Sequence, residues 1–193
     1  MTKSLILASA SPRRRQLLTD AGYTFLVDPS GIDEPEPPRG ANVAAYVAEL
    51  AWRKAFEVAS RHQTGVVLAA DTSCAVEGEI LNKPNDRNDA ERMIRLQEGR
   101  DTAVLTAVIL YDAERLTWLG AIETSIVRFR RLTDLERTAH LDSLRWEGKA
   151  GAYGVQDNDP FVSVASGSWS NVVGLPMERL AEMIRQFSRR GEA

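Results

Sequence analysis

The chain has 193 residues, of which 44% are hydrophobic, enough for one substantial core or for two small lobes that share a cleft. Its 24 lysines and arginines nearly balance 27 aspartates and glutamates, so the net charge of -3 gives no overall basic field that would attract nucleic acid or an anionic membrane. No apolar run approaches the roughly 20 residues of a membrane span, and we expect a cytoplasmic protein with no membrane partner.

The first predicted unit is a strand, a tight loop and a helix. Leu5–Ala8 is an apolar run, Ser11 suits the N-cap of a helix, and Pro12 suits its first position. The next three residues are arginines, although a cation at the positive end of a helix dipole is unfavourable by about 0.3–1 kcal/mol. A bound anion would turn this repulsion into attraction.

The predicted ligands of this anion are the hydroxyls of Ser9 and Ser11 and one or two of the guanidinium groups. Successive helical residues point about 100° apart, so the three arginines cannot all face one ligand. Arg13, on the turn nearest the loop, is the first candidate. Arg14 is either a ligand or a solvated charge, and Arg15 is expected to lie in solvent.

The next segments form a strand, a stiff loop and a long helix. Tyr23–Val27 predicts the strand, and Asp28–Gly40 contains four prolines, so it predicts a rigid acidic loop. Glu34 in this loop is either solvated or brought to a site that holds a cation or water. Ala41–Arg61 has helical periodicity, and Lys54 lies on its apolar stripe. That lysine must either snorkel to solvent or meet a buried anion.

Val66–Ala70 is nearly continuous in apolar residues, as is typical of a central strand, and Asp71 follows it. Sites in α/β sheets gather outside the carboxyl ends of strands, which favours a functional role for Asp71 over a capping role. Cys74, the only cysteine, excludes an intramolecular disulfide and is expected as a buried strand residue. A hairpin with its turn at Glu77-Gly78 would bring Lys83 toward the same end as Asp71.

The remaining periodic segments predict scaffold. They are a helix at Asn88–Gln97, long strands at Thr102–Tyr111 and Leu116–Phe129, a helix from the capping box at Thr133 toward Trp146, a strand at Phe161–Ala165 and a last helix opened by Pro176. The only histidines, His62 and His140, lie on separate predicted helices, so a zinc site built on histidine or cysteine is not expected.

A glycine-rich stretch at Gly148–Gln156 is the second candidate for ligand binding. Its three glycines allow a close backbone approach, while Lys149, Tyr153 and Gln156 supply a charge, a ring and an amide. The stretch is neither a Walker motif nor a dinucleotide fingerprint, so by itself it is equally compatible with a flexible loop.

The candidates combine three lysines (Lys54, Lys83 and Lys149), the serines and arginines of the first helix, and two carboxylates (Glu34 and Asp71). Several cations with two carboxylates suit a polyphosphate and a divalent metal, with one acid left to activate water. The residues alone therefore predict hydrolysis of a phosphoanhydride or a phosphoester.

The sequence resembles the Maf family of nucleoside triphosphate pyrophosphatases over almost its whole length. The matching stretches, in family order, are Leu7–Arg14, Ala70–Thr72, Ile80–Pro84, Gly148–Gln156 and Asn171–Pro176. The resemblance implies an α/β fold in which an elongated mixed sheet with helices forms two lobes around a central cleft. It also implies that residues 1–193 form a single domain, commonly as a homodimer, and that Mg²⁺ or Mn²⁺ is required.

The activity that the resemblance implies is cleavage of a nucleoside triphosphate between the α and β phosphates. Asp71 matches the proton acceptor that activates water. The positions tied to substrate choice are Arg13, Thr72 and Gln156, and those lining the phosphate and metal end are Ser9, Glu34, Lys54 and Lys83. The form of the glycine-rich stretch is similar to the dTTP/UTP branch, in which Gln156 would read the pyrimidine edge.

Three positions depart from the family pattern. Thr102 stands where many members have histidine, Arg145 where an acid often precedes the tryptophan, and Asp157 where a glycine usually follows the glutamine. Only Asp157 adjoins the stretch that would read the base. An alternative from another class is a non-catalytic nucleotide-binding regulator of cell division that acts through a protein partner.

Overall fold

The protein is described by a computed structural model over residues 3–38, 40–157 and 160–190. The strands are β1 (Leu5–Leu7), β2 (Phe25–Val27), β3 (Val66–Val76), β4 (Glu79–Leu81), β5 (Asp101–Asp112), β6 (Thr117–Phe129) and β7 (Val162–Ser166). The α-helices are α1 (Pro12–Asp20), α2 (Val43–Ala59), α3 (Arg87–Gln97), α4 (Asp134–Asp142), α5 (Trp169–Val173) and α6 (Met177–Arg190). Two short 3₁₀ helices, Ala150–Ala152 and Val155–Asp157, complete the described secondary structure.

All seven strands belong to one mixed sheet, as the predicted α/β class requires. Its order is β2-β1-β3-β5-β6-β7, and β4 pairs with β3 outside this path. The pairs of β1 with β2 and of β1 with β3 are parallel, whereas the other pairs are antiparallel. None of the helices in the described ranges is both long enough and apolar enough to cross a membrane.

The sheet is split along one edge of β3. On that edge β1 pairs with Val66–Leu68 and β4 pairs with Cys74–Val76, while β5 pairs with β3 along the opposite edge. Among the described residues, no strand pairs with residues 69–73 on the split edge. Asp71 lies at the middle of this opening, so the divergence of β1 and β4 creates room for a cleft beside it.

Helices cover the two faces of the sheet unequally. One face of β3 and β5 packs against α2 through a cluster that includes Leu50, Ala51 and Val67. On the other face, α1 and α6 cover the half nearest β1. The half nearest β4 is covered instead by α3 and α4, together with the glycine-rich stretch. The opening in β3 therefore lies between two separate parts of the core.

The structure corrects the sequence predictions in three places. The strand predicted at Val66–Ala70 does not end before Asp71. It continues to Val76 as β3, and Asp71 lies within it, paired with Ala107 of β5. The predicted helix toward Trp146 ends at Asp142, and its remainder is a series of turns. The short helix α5 was not predicted at all.

Candidate active site

A cleft of about 680 Å³ opens at the split edge of β3. It is lined by every side chain that the sequence analysis assigned to a site, which are Ser9, Ser11, Arg13, Arg14, Glu34, Lys54, Asp71, Thr72, Lys83, Lys149 and Gln156. These residues come from the loop before α1, the first turn of α1, the acidic loop, α2, β3, the segment after β4 and the glycine-rich stretch. The fold thus brings together residues as far apart in the chain as Ser9 and Gln156.

The wall of the cleft nearest α2 is formed by a group that we call the Lys54 cluster, consisting of Glu34, Lys54 and Asp71. The ammonium of Lys54 lies 2.6 Å from Oδ1 of Asp71 and 2.7 Å from Oε1 of Glu34. Lys54 and Asp71 are 7% and 6% exposed, so their charges are largely removed from water. Lys54 therefore meets one buried anion, Asp71, and one more exposed anion, Glu34, and the snorkelling alternative is wrong.

Glu34 is the more exposed carboxylate of this cluster. Burial by itself raises the pKa of Glu34, but Lys54, and then Lys83 and Arg14, bring it below its ordinary value. Lys83 is 3.8 Å from Oε2 of Glu34 and lies at the mouth of the cleft with an exposed side chain. Glu34 is therefore ionised at neutral pH and carries a negative charge into the cleft.

Tyr46 and Asn82 fix the acidic loop that carries Glu34. The hydroxyl of Tyr46 donates to the carbonyl of Pro35 at 2.9 Å and accepts from the amide of Asn82 at 2.8 Å. Asn82 in turn accepts from the hydroxyl of Ser73 on β3. This chain of hydrogen bonds connects the loop to β3, so the position of Glu34 is set by the sheet.

The opposite wall holds a second group, which we call the Arg14 cluster, consisting of Ser9, Arg14, Thr72 and Gly174. Arg14 donates to the carbonyl of Gly174 at 2.8 Å and to the hydroxyls of Ser9 and Thr72 at 3.1 Å each. Burial lowers the pKa of Arg14, while the charge of Asp71 raises it. The guanidinium keeps its charge, since arginine does not deprotonate in proteins, and it is held rigidly beside the cleft.

The two clusters lie on opposite faces of β3 because successive strand residues point to opposite sides. Asp71 shares its face with Val67 and Ala69, which pack toward α2. Thr72 points the other way, toward Arg14 and the hydroxyl of Thr106 at 2.9 Å. The opening in the sheet lets one cleft reach both faces.

The start of α1 differs in detail from the predicted anion site. The hydroxyl of Ser11 caps the helix by accepting from the amide of Arg14, as its N-cap position predicts. Arg13 reaches across the cleft and donates to the carbonyl of Gly148 at 3.0 Å. Arg13 and Arg14 both line the cleft, whereas Arg15 is exposed and lies outside its lining.

The glycine loop, which is the glycine-rich stretch Gly148–Gln156, is held in place by hydrogen bonds to Asn82 after β4 and to Gln97 of α3. The amide of Gly151 donates to the carbonyl of Asn82 at 3.1 Å, and Gln97 donates to the carbonyl of Gly151 at 2.7 Å. Gly151 has a φ of 72°, and a Cβ there would meet Cys74, Gln97 and Tyr153 at 3.0–3.1 Å. Only glycine fits this position, because its backbone is both left-handed and tightly surrounded.

Gln156 stands at the end of the glycine loop. Its amide packs against the backbone of Gly154, where a Cβ would collide with it. Directly after it, Asp157 forms an ion pair with Lys149 at the other end of the loop. The loop is therefore closed by a charged pair and is not a free segment.

Cys74 behaves as the buried strand residue that the sequence predicts. Burial raises the pKa of its thiol to about 12, although Tyr153 offsets this in part. A thiol with such a pKa is protonated at neutral pH and is a poor nucleophile. Cys74 therefore contributes to the floor of the cleft and not to its chemistry.

The donor set of the cleft fits a divalent cation of the magnesium type. The side chains of the described residues contain no group of three or more His, Cys, Asp or Glu that would hold a metal on their own. The Lys54 cluster instead offers two carboxylates, and Lys54 contacts one oxygen of each. Mg²⁺ commonly binds through one or two carboxylates together with substrate phosphates and water, so Glu34 and Asp71 suit it.

Tyr46 and Asn82 line the cleft but were not among the predicted site residues. A signal for Tyr46 was present, because Tyr46, Leu50 and Lys54 follow each other at intervals of four and therefore share one face of α2. Asn82 immediately precedes Lys83 at the end of β4, and no pattern in the sequence indicates its contact with Tyr46.

The other positions of interest lie away from the cleft. Thr102 is fully buried in β5, and Arg145 is exposed in the turns after α4.

A second depression, of about 980 Å³, lies near the amino end of β1 and the last turns of α6. Its lining contains mostly apolar side chains, and its charged residues, Lys3, Asp112 and Arg115, are separate from those of the cleft.

Comparison with known proteins finds similar sequences over nearly the whole chain. A family model described as Maf-like protein matches residues 4–187. A dTTP/UTP pyrophosphatase of Rhodopirellula baltica is 48% identical, with 98% of this chain and 85% of the relative covered. Relatives with the same name from Pelotomaculum thermopropionicum and Bdellovibrio bacteriovorus are 41% and 38% identical, with 96% and 97% of this chain covered and 97% and 100% of the relatives.

Proposed function

Since this chain belongs to the family of Maf-like proteins, we propose that it is a nucleoside triphosphate pyrophosphatase that cleaves dTTP and UTP to the monophosphate and pyrophosphate. The proposal takes residues 1–193 as one catalytic domain. The observation that carries it is the Lys54 cluster, in which a buried ammonium holds two carboxylates at the opening of the sheet. The relatives named dTTP/UTP pyrophosphatase supply the substrate class.

Asp71 is the proposed proton acceptor. Lys54 binds its Oδ1, which orients the carboxylate and leaves Oδ2 to receive a proton from water. The water oxygen bonds to phosphorus as the bond between the α and β phosphates breaks, and pyrophosphate leaves. Positioned general bases of this kind contribute about 10²–10⁴-fold to a rate.

The Arg14 cluster and the start of α1 are the proposed triphosphate site. The guanidinium of Arg14 is already held by Gly174, and its contacts with the hydroxyls of Ser9 and Thr72 can be exchanged for phosphate oxygens. The positive end of the helix dipole favours an anion at the same place. Ser11, Lys83 and Lys149 add a further hydroxyl and two ammonium groups to the lining.

Mg²⁺ or Mn²⁺ would be held by Glu34 and Asp71 together with the phosphates of the substrate. When bound, the cation supplies charge neutralisation for the departing pyrophosphate. Tyr46 contributes by holding the acidic loop through Pro35, so that Glu34 faces Lys54. The positive charge of Lys54 keeps the two carboxylates together until substrate arrives.

The glycine loop is the proposed site of base selection. Gln156 presents both a donor and an acceptor, which suits the edge of a pyrimidine. Arg13 connects the start of α1 to the loop through Gly148, and Thr72 connects β3 to Arg14. These contacts join the base and phosphate ends of the cleft, as expected if Arg13, Thr72 and Gln156 influence substrate choice.

A homodimer is part of the same proposal. Trp52 and Phe56 stack with centroids 5.1 Å apart on the outer face of α2, and Phe56 contacts the edge of Tyr111. Trp118 lies opposite Tyr111 in the sheet and is 52% exposed. Exposed aromatic patches of this kind mark interaction surfaces. Sedimentation velocity of the purified chain tests the proposal, and a single monomer boundary at all concentrations would contradict it.

The activity is tested by incubating the protein with dTTP, UTP, CTP, GTP or 7-methyl-GTP and Mg²⁺ or Mn²⁺, and measuring the pyrophosphate released. We expect release from dTTP and UTP, and its loss when EDTA removes the metal. Absence of pyrophosphate from every nucleotide would overturn the enzyme proposal. Release from 7-methyl-GTP alone would overturn the proposed substrate class.

The alternative of a non-catalytic regulator has no observation in its favour, because simple binding does not require a buried lysine between two carboxylates.

A further inference from the structure

The ion pair between Lys149 and Asp157 gives the glycine loop a fixed shape. The side chains are 12% and 17% exposed, so the pair is largely shielded from water. It joins the residue before the first 3₁₀ helix to the last residue of the second. The backbone supports the same closure, since Ala152 donates to the carbonyl of Lys149 at 3.1 Å and Asp157 to that of Gly154 at 3.0 Å.

Asp157 also affects the charge of the cleft. Lys149 and Arg13 are both cations of its lining. Burial lowers the pKa of Arg13, and the charge of Asp157 raises it, so this carboxylate acts on both cations. A triphosphate that enters the cleft must therefore compete with Asp157 for Lys149. The competition weakens any binding that depends on phosphate alone.

We propose that Asp157 is a positioning and selectivity residue, which holds Lys149 away from phosphate and fixes the loop that carries Gln156. The role of the substrate in this inference rests on the proposed function. With Lys149 held by Asp157, binding depends more strongly on contacts between the base and the glycine loop. Without Asp157, Lys149 is free to bind any triphosphate, and the loop no longer holds Gln156 in place. A nucleotide that makes no contact with Gln156 then gains affinity, whereas dTTP gains the phosphate contact but loses part of its base contact, so discrimination between bases falls.

The substitution Asp157→Asn tests this inference, because it removes the charge and keeps the shape. We expect KM for CTP and GTP to fall by about three- to tenfold, kcat for dTTP to stay within about twofold, and the ratio of kcat/KM for dTTP over GTP to fall. Asp101→Asn is the matched control, since Asp101 forms an exposed ion pair with Arg128 at 2.8 Å outside the cleft. The control should leave all three quantities unchanged.

A double-mutant cycle separates action through Lys149 from a general effect on the loop. If Asp157 acts through Lys149, Asp157→Asn should change the selectivity ratio in the wild-type background but not in a Lys149→Met background. An unchanged ratio in Asp157→Asn, or an equal change in both backgrounds, would overturn the inference.

Binding of the α,β-methylene analogues of dTTP and GTP, measured by calorimetry, keeps this test independent of turnover. Asp157→Asn should bind the GTP analogue about three- to tenfold more tightly than the wild type and the dTTP analogue with a smaller gain or none. An equal change in affinity for the two analogues, or no change in either, would overturn the inference. If the wild type binds the dTTP analogue but releases no pyrophosphate from any nucleotide, the proposed function fails while the role of Asp157 is still decided by the affinities.

Discussion

The Lys54 cluster and the glycine loop form two ends of one cleft, and they are built in different ways. Lys54 and Asp71 stand on regular elements, the middle of α2 and the middle of β3, and both are buried. The glycine loop consists of two short 3₁₀ helices closed by an ion pair. Under the proposed function, chemistry is therefore placed on the rigid core, while selection is placed on a loop that can vary without disturbing it.

This difference predicts separate kinetic consequences for the two ends. Changes in the Lys54 cluster should lower kcat, because they alter the groups that face the reacting phosphates. Changes in the Arg14 cluster should raise KM, and those in the glycine loop should alter selectivity. A substitution outside the cleft should affect stability alone.

The largest of these effects is expected for Lys54→Met, which leaves Asp71 buried without its ammonium partner. Removing one partner of a buried pair costs about 3–5 kcal/mol of unfolding free energy, and kcat should fall by about 10²-fold or more. Urea denaturation and pyrophosphate release measure the two quantities. A variant with wild-type stability and turnover would show that Lys54 does not organise the carboxylates.

A smaller effect is expected for Arg14→Lys, which keeps the charge but removes the planar fork that reaches Gly174, Ser9 and Thr72. Charge-assisted hydrogen bonds contribute about 1.5–3 kcal/mol, so KM for dTTP should rise by about tenfold while kcat changes less. Initial rates over a range of dTTP concentrations measure both. A fall in kcat at constant KM would place Arg14 with the chemistry and not with binding.

The smallest effect is expected for Glu136→Gln in the capping box of α4, remote from the cleft. Arg130, and then Thr133, lower the pKa of Glu136 from 4.5 to about 2. A depressed carboxylate pKa stabilises the fold above the unfolded value, and this contribution is lost as the pH falls from 4.5 toward 2. The variant should melt below the wild type at pH 7 and match it near pH 2, with unchanged kinetics at pH 7. A difference that persists at pH 2 would contradict this assignment.

The sequence predicted which residues line the cleft, but it did not predict how those residues are arranged around it. Local patterns placed the strand β3, the helix α2 and the cap at Ser11, since each depends on residues close in the chain. The split of the sheet depends on where β1 and β4 stop pairing with β3, which no local pattern records. For that reason Asp71 was expected after a strand and lies inside one, and the contacts of Tyr46, Asn82 and Asp157 were not foreseen.

The arginines after Pro12 illustrate the same limit. The helical rotation of about 100° shows that they must point in different directions, but it does not show which of them faces the cleft. That depends on where α5 and Gly174 pack, and α5 was not predicted. The structure places Arg14 deepest, with Arg13 bridging to Gly148 and Arg15 in solvent.

The most direct test of the central claim, that Asp71 in the split sheet activates water, is pyrophosphate release from dTTP by Asp71→Asn in the presence of Mg²⁺. The wild type and the variant should bind α,β-methylene-dTTP with affinities that agree within about threefold, whereas the rate of release should fall by about 10²–10⁴-fold. A variant that binds the analogue and releases pyrophosphate within about tenfold of the wild-type rate would contradict the account.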